Sequence, residues 1–165
     1  MNKKNLLTDE NMNNEIKIVQ KVSEKWKCQY TYIGKKLFSR VDGFFHNDNQ
    51  LKGVFEVRKK KQTYNWIKDY NSCLVSFNKL MLGAELSRIL GVRFFYLVGT
   101  SDNKILIYRI TEKNGKIVCP MNLRPYKPSS SMELNKNVNP KNILKFEDQT
   151  NAYLSLDTEF LTIIE

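Results

Sequence analysis

The sequence predicts a mixed α/β domain, a β-sheet sandwiched between helices, and three observations carry that reading. First, Ile16, Val19, Val22 and Trp26 recur at three- and four-residue steps, which is one apolar face of a helix. Second, two short apolar runs, Phe38 to Phe45 and Leu51 to Arg58, flank a turn-like His46-Asn47-Asp48-Asn49-Gln50 and read as a hairpin. Third, a long apolar stretch from Ser72 to Leu90 precedes a nearly continuous apolar run, Val92 to Val98. A broad apolar helix followed by a strand apolar on both faces is the pattern of a helix packed on a covered sheet.

Residues 1–13 are polar and Asn-rich, and are expected to be a flexible N-terminus. The first helix is expected from Asn14 to about Lys27, capped by Asn13 or Asn14, with Glu15 in its first turn. Gln29 to Ile33 alternates with aromatics as a first strand, and the hairpin strands follow. Ser72 to Leu90 reads as the strongest helix, with Gly91 placed to stop it. Val92 to Val98 and Ile105 to Ile110 are two further strands around the turn Ser101-Asp102-Asn103. The order is α-β-β-β-α-β-β over residues 14–110, and residues 111–165 form a C-terminal extension of the same single domain, 14–165. Within the extension a short strand is expected at Ile117 to Cys119 and loop across 120–140, which holds all four prolines. A turn or helix is expected at 151–158, and a final strand at Phe160 to Ile164.

The 165 residues suffice for one domain with a sizeable core. No apolar run reaches membrane-spanning length and no signal-peptide core is present, so a cytoplasmic setting without membrane is expected. Cys28, Cys73 and Cys119 are widely spaced and odd in number, which argues against a disulfide framework or a zinc site. The net charge of +10 suggests a polyanionic partner. Lysines outnumber arginines 21 to 6, a bias that AT-rich coding also produces. The charge is nonetheless uneven: residues 146–165 hold five acids and no Lys or Arg, so the rest is a strongly basic body. No Gly-rich phosphate loop and no Ser/His/Asp arrangement stands in the sequence.

Two carboxylates stand inside the strand-like runs, Asp42 in Val41-Asp42-Gly43-Phe44-Phe45 and Glu56 in Gly53-Val54-Phe55-Glu56-Val57-Arg58-Lys59. A carboxylate buried in such a run is costly unless something pairs with it. Residues two apart in a strand share a face, so Val54, Glu56 and Arg58 lie on one side and Phe55 and Val57 on the other. With Asp42 near Glu56 across the hairpin, both can converge on one cation. Magnesium takes hard oxygen ligands, and the Val57 carbonyl is a further one. Such an ion polarises a phosphate and lowers the pKa of bound water, which is equipment for phosphodiester hydrolysis.

Asp42 followed by Glu56-Val57-Arg58, within this element order, resembles the PD-(D/E)xK nuclease superfamily. The resemblance spans about residues 14–110. It implies a restriction-endonuclease-like or Holliday-junction-resolvase-like mixed sheet flanked by helices, and a Mg2+- or Mn2+-dependent DNA endonuclease of recombination, repair or restriction. Asp42, Glu56 and Arg58 take the motif's catalytic places. Asp42, Glu56 and the Val57 carbonyl take its metal places, joined by an acid of the first helix, Glu15, with Glu24 as the fallback. Nucleases that cut both strands are often dimers, which adds a homodimer to the implied partners.

The chain departs from the motif in three ways. Val41 replaces the proline, the glutamine–tyrosine pattern of the exonuclease branch is missing, and Arg58 replaces the lysine. A guanidinium stays protonated and cannot act as a general base, but it can hold a scissile phosphate. Lys59 points to the opposite face of a regular strand and reaches the site only through a bulge.

Downstream, Lys59, Lys60, Lys61 and Lys68 interleave with Tyr64, Trp66 and Tyr70. Bases neutralise phosphates and aromatics stack on exposed bases, so Lys59, Lys60, Lys61, Tyr64 and Lys68 are the expected DNA contacts. The competing reading is a solvated loop with Trp66 in the core. His46 at the hairpin tip is a weaker candidate for proton transfer. Two alternatives to the nuclease stand beside it: a catalytically silent nuclease-like fold that binds DNA or a protein, and a small basic RNA-binding protein.

Overall fold

Helix α1 runs from Lys3 to Trp26 in the computed structural model, which describes residues 3–34, 40–71, 73–124, 153–156 and 161–165. The helix therefore starts well before the expected Asn13–Asn14 cap. Residues 3–13 contain no Pro or Gly, and asparagine costs a helix only a few tenths of a kcal/mol more than its neighbours. Glu15, Ile18, Val19, Val22 and Ser23 are its buried residues, spaced to form one stripe. Ile16, expected on that stripe, is half-buried beside it.

The main sheet has six strands in the order β1-β2-β3-β5-β6-β9. These are β1 (Gln29–Tyr32), β2 (Gly43–Asn47), β3 (Gln50–Lys59), β5 (Arg93–Gly99), β6 (Ile105–Arg109) and β9 (Leu161–Ile164). All neighbours are antiparallel except β3 and β5, which pair in parallel from Gly53–Arg93 to Lys59–Gly99. A parallel pair needs a crossover connection. Residues 60–92 supply it through helix α2 (Tyr64–Asp69), strand β4 (Cys73–Ser76) and helix α3 (Phe77–Leu90).

Alternation along β3 sorts the two cores. Phe55 and Val57 face α1 and pack with Ile18, Val19, Val22, Phe45, Leu97 and Ile107. Val54, Phe94, Tyr96, Val98 and Tyr108 belong to the opposite core, with Leu80 of α3. Each fully buried aliphatic side chain contributes about 1.5–3 kcal/mol against exposure. The α/β architecture with a mixed sheet between helices is as the sequence predicts. Gly91 closes α3 in the left-handed conformation (φ 65°), also as expected.

Several local expectations are corrected. The helix expected from Ser72 begins at Phe77, because Cys73 to Ser76 forms β4. That strand belongs to a second sheet, β4-β8-β7, with β7 at Met121–Arg124 and β8 at Tyr153–Leu156. Residues 121–124, expected as loop, and 153–156, expected as turn or helix, are therefore strands. Ile117 makes only an isolated bridge to Thr111 rather than a strand. The extension is built into the domain: β9 pairs with β6, and Leu156 and Cys119 lie in the core on the α3 side. The first hairpin strand, expected from Phe38, begins only at Gly43: residues 40–42 are a bend, and 35–39 lie outside the described residues. No helix among the described residues is long and apolar enough to cross a membrane.

Candidate active site

Strand β2 begins at Gly43, which pairs with Phe55, so residues 56–58 of β3 project beyond it. Val57 lies two residues past Phe55 and points its backbone groups to that vacated side. A buried backbone N–H must find an acceptor. Here it is a side chain: Val57 N donates to Asp42 Oδ2 at 3.0 Å. Asp42 thus sits just ahead of β2 and fills the missing ladder position with its carboxylate. Its backbone continues the pairing, with Asp42 N donating to Phe55 O at 2.9 Å and Asp42 O accepting from Ile33 N at 2.8 Å. Gly43 lets the strands close this tightly, since a Cβ there would overlap Thr31 O and the Phe55 ring.

Because Asp42 lies in the plane of the sheet at the end of β2, groups from both faces meet beside it. Glu56 and Arg58 come from the α3 face and Glu15 from α1. Arg58 Nη2 donates to Glu56 Oε1 at 2.8 Å. Arg58 Nη1 lies 3.3 Å from Glu15 Oε1, 3.6 Å from Asp42 Oδ2 and 3.1 Å from the Val57 carbonyl. Asp42 is 0% exposed and Glu56 2%, while the Arg58 side chain, at 28%, forms the mouth of the cluster. Tyr32 Oη holds the other oxygen of Glu15 at 2.7 Å. All four metal places expected from sequence, Glu15, Asp42, Glu56 and the Val57 carbonyl, therefore gather around one guanidinium.

The electrostatics follow from this crowding. Burial, reinforced by the Asp42 charge, pushes Glu56 up to about 7 against the pull of Arg58 and Lys79. Burial works against the Arg58 charge, but Glu56 and Asp42 outweigh it and raise the guanidinium further. Burial and the hydrogen bond to Glu15 hold the Tyr32 phenol well above its usual range.

Asp42 Oδ1 is buried and receives no hydrogen bond from any described residue. A buried carboxylate oxygen without a donor is rare and costly. Three carboxylates and a carbonyl are the hard oxygen donors that Mg2+ and Mn2+ prefer, so the residues fit such an ion chemically. As they stand, no three acidic, His or Cys side chains among the described residues are gathered closely enough to hold a metal. The guanidinium lies between them.

One participant is absent from the sequence reading. Lys79, in the first turn of α3, places Nζ 3.3 Å from Glu56 Oε1. The signal was present: Lys79, Gly83 and Ser87 stand four residues apart, and the latter two are buried. A lysine in line with buried positions is aimed at the core's edge rather than at solvent.

Other expected participants lie elsewhere. Glu24 is exposed and accepts from Gln20 Nε2 at 3.1 Å, so the fallback acid is not at the site. His46 sits at the far end of β2, 3.0 Å from Thr31 Oγ1. Lys59 projects to the α1 face, as strand alternation requires, and binds the Thr100 carbonyl. Lys60 donates to the Leu74 carbonyl at 3.1 Å, and burial lowers its pKa. Lys61 and Lys68 are exposed, and Tyr64 is half-buried with Lys104 Nζ 4.9 Å from its ring centre. Trp66 is 41% exposed and packs against Tyr70 at 4.9 Å between ring centres with the rings tilted by 36°, while its neighbour Ile67 takes the core position. Thr63 starts this helix by accepting from Trp66 N. The stretch thus presents an exposed aromatic pair and two exposed lysines, with Lys59 and Lys60 tied to carbonyls.

No protein-family model, curated protein or solved structure matches the chain.

Proposed function

We propose that this chain is a divalent-metal-dependent DNA endonuclease with a restriction-endonuclease-like fold. The observation that carries the reading is the convergence of Glu15, Asp42, Glu56 and the Val57 carbonyl on one guanidinium, that of Arg58, with Asp42 Oδ1 buried and without a donor among the described residues. Those four residues would hold Mg2+ or Mn2+. The ion, when bound, supplies Lewis-acid polarisation of the phosphodiester and a water of lowered pKa. Arg58 and Lys79 flank the carboxylates as cations and would hold the non-bridging phosphate oxygens. Tyr32 orients Glu15. The net charge of +10 and the exposed Trp66–Tyr70 pair favour a nucleic-acid substrate. Three free cysteines, two of them buried, suit a reducing cytoplasm. A homodimer would serve cleavage of both strands.

The test is cleavage of plasmid, branched and single-stranded DNA with Mg2+ or Mn2+, wild type beside Asp42→Ala. Metal-dependent cleavage lost in the variant supports the reading. Equal inactivity of both on every substrate ends it.

One observation favours a second reading. Arg58 already pairs with all three carboxylates, so a catalytically silent nuclease-like fold that binds DNA needs no metal there. That reading expects salt-sensitive, metal-independent DNA binding. Metal-dependent strand breaks abolished by Glu56→Gln rule it out.

A further inference from the structure

The position of the Arg58 guanidinium deepens the metal reading, on which the following inference rests. Nη1 and Nη2 contact the same oxygens that a divalent ion would need: Glu15 Oε1, Asp42 Oδ2, Glu56 Oε1 and the Val57 carbonyl. Two cations cannot share those oxygens at contact distance without strong repulsion. A metal therefore binds only after the guanidinium withdraws. Withdrawal costs the guanidinium its carboxylate partners, which is unfavourable unless another anion receives it. The Arg58 side chain is 28% exposed, so its charged end has a route outward, whereas Asp42 and Glu56 are fixed inside. A phosphodiester at the mouth is the matching acceptor, since guanidinium pairs with phosphate in the same forked geometry as with carboxylate.

We propose that Arg58 is a displaceable counter-ion: it closes the carboxylate cluster to metal until a DNA phosphate draws it out, so metal and DNA bind the chain cooperatively. Each ligand then raises the affinity of the other by the same factor. The cluster is also stable without metal, because the guanidinium compensates charges that would otherwise stand buried and alone.

The experiment is a Mn2+ titration followed by the electron paramagnetic resonance of free Mn2+, with and without a short phosphorothioate DNA duplex. Wild type, Arg58→Met, Arg58→Lys and Asp42→Asn are compared, and circular dichroism checks that each is folded. The expected result is weak Mn2+ binding by wild type alone, tightened at least about tenfold by the duplex, the scale of ordinary allosteric coupling. Arg58→Met binds Mn2+ at least about tenfold more tightly than wild type without DNA, and the duplex adds little. Arg58→Lys serves if Arg58→Met does not fold, and is expected between the two, since an ammonium cannot span the same four oxygens.

If Mn2+ binding depends on Asp42 but is the same in wild type and the Arg58 variants, with or without duplex, the counter-ion proposal is overturned and the metal site stands. If no protein shows Mn2+ binding that Asp42→Asn removes, the metal reading itself has failed. The wild-type comparison with and without duplex needs no variant to fold.

Discussion

Lys79 Nζ stands 3.3 Å from Glu56 Oε1 and 3.4 Å from Glu56 Oε2, so one ammonium from helix α3 spans both oxygens of a carboxylate on strand β3. Arg58 Nη2 approaches the first of those oxygens at 2.8 Å from the other side. Glu56 is thus held between two cations with different chemistry. The guanidinium is permanently charged, and the amine is the only one of the two able to give or take a proton. Under the proposed nuclease function, Lys79→Met should lower the cleavage rate by about 100-fold, the usual loss when one fixed cation or donor is removed from developing charge. Mn2+ binding should be retained, because the metal ligands are untouched. The rate of plasmid nicking at saturating Mn2+ checks this. Cleavage at the wild-type rate would reduce Lys79 to a structural counter-ion.

Glu56 also gives the metal-free protein a pH signature. Its pKa is raised from 4.5 to about 7 in the folded chain, first by burial and then by Asp42. The folded state therefore holds this proton more tightly than the unfolded state. The stabilisation is fully present below about pH 4.5 and is lost as pH rises through about 7. It amounts to roughly 3 to 3.5 kcal/mol at about 1.36 kcal/mol per pKa unit. Glu56→Gln cannot ionise, so it should keep that stability at high pH. Urea unfolding in chelator at pH 5 and pH 8 reads the effect as the difference between the two proteins. Parallel pH dependence in wild type and Glu56→Gln would contradict it.

How much of this was legible in the sequence depends on the range of the interaction. Asp42 and Glu56 were legible because each is a carboxylate set in an apolar run, on either side of a hairpin that turns in two residues at Asp48-Asn49. Glu15 was named only through the family resemblance, as an acid in the first turn of a helix expected from Asn14. The helix begins at Lys3, and Glu15 stands instead on its buried stripe with Ile18, Val19 and Val22. Strand β4 was not legible, because its partner is remote: Cys73 pairs with Leu156. Locally, Cys73 to Ser76 simply prolongs the apolar stretch of α3. The meeting of Arg58 with Glu15 was also beyond local pattern. It depends on β2 stopping at Gly43, which opens the edge of β3 at Val57. Lys79 failed to stand out because a single lysine in a helix is usually solvated.

Tyr32 is expected to matter through Glu15 alone. Its hydroxyl donates to Glu15 Oε2 at 2.7 Å, leaving Oε1 turned to Arg58. Tyr32→Phe removes the donor and keeps the ring. A hydrogen bond to a charged, buried acceptor is worth about 1.5–3 kcal/mol, so the loss should fall in that range by urea denaturation. Glu15→Gln should remove most of the difference between Tyr and Phe, because a neutral acceptor binds the hydroxyl less strongly. Additive effects of the two substitutions would show that Tyr32 acts through something else.

Gly83 controls how closely α3 approaches the sheet. A Cβ at that position would overlap the ring of Phe94, which is 1% exposed and has no room to retreat. Phe94 pairs with Val54, two residues before Glu56, and Lys79 lies one turn before Gly83 on the same helix face. The glycine contact therefore sets the reach of Lys79 to Glu56. Gly83→Ala should gain up to about 1 kcal/mol of helix propensity but lose about 1–3 kcal/mol to overpacking. The net expectation is destabilisation of about 1–2 kcal/mol, seen as a lower urea midpoint at unchanged slope. Combining it with Phe94→Leu makes room for the methyl group, so the double variant should recover part of the loss relative to the sum of the singles. A Gly83→Ala protein as stable as wild type, with no coupling to Phe94→Leu, would mean that the helix shifts freely. The Lys79–Glu56 contact would then not depend on this packing.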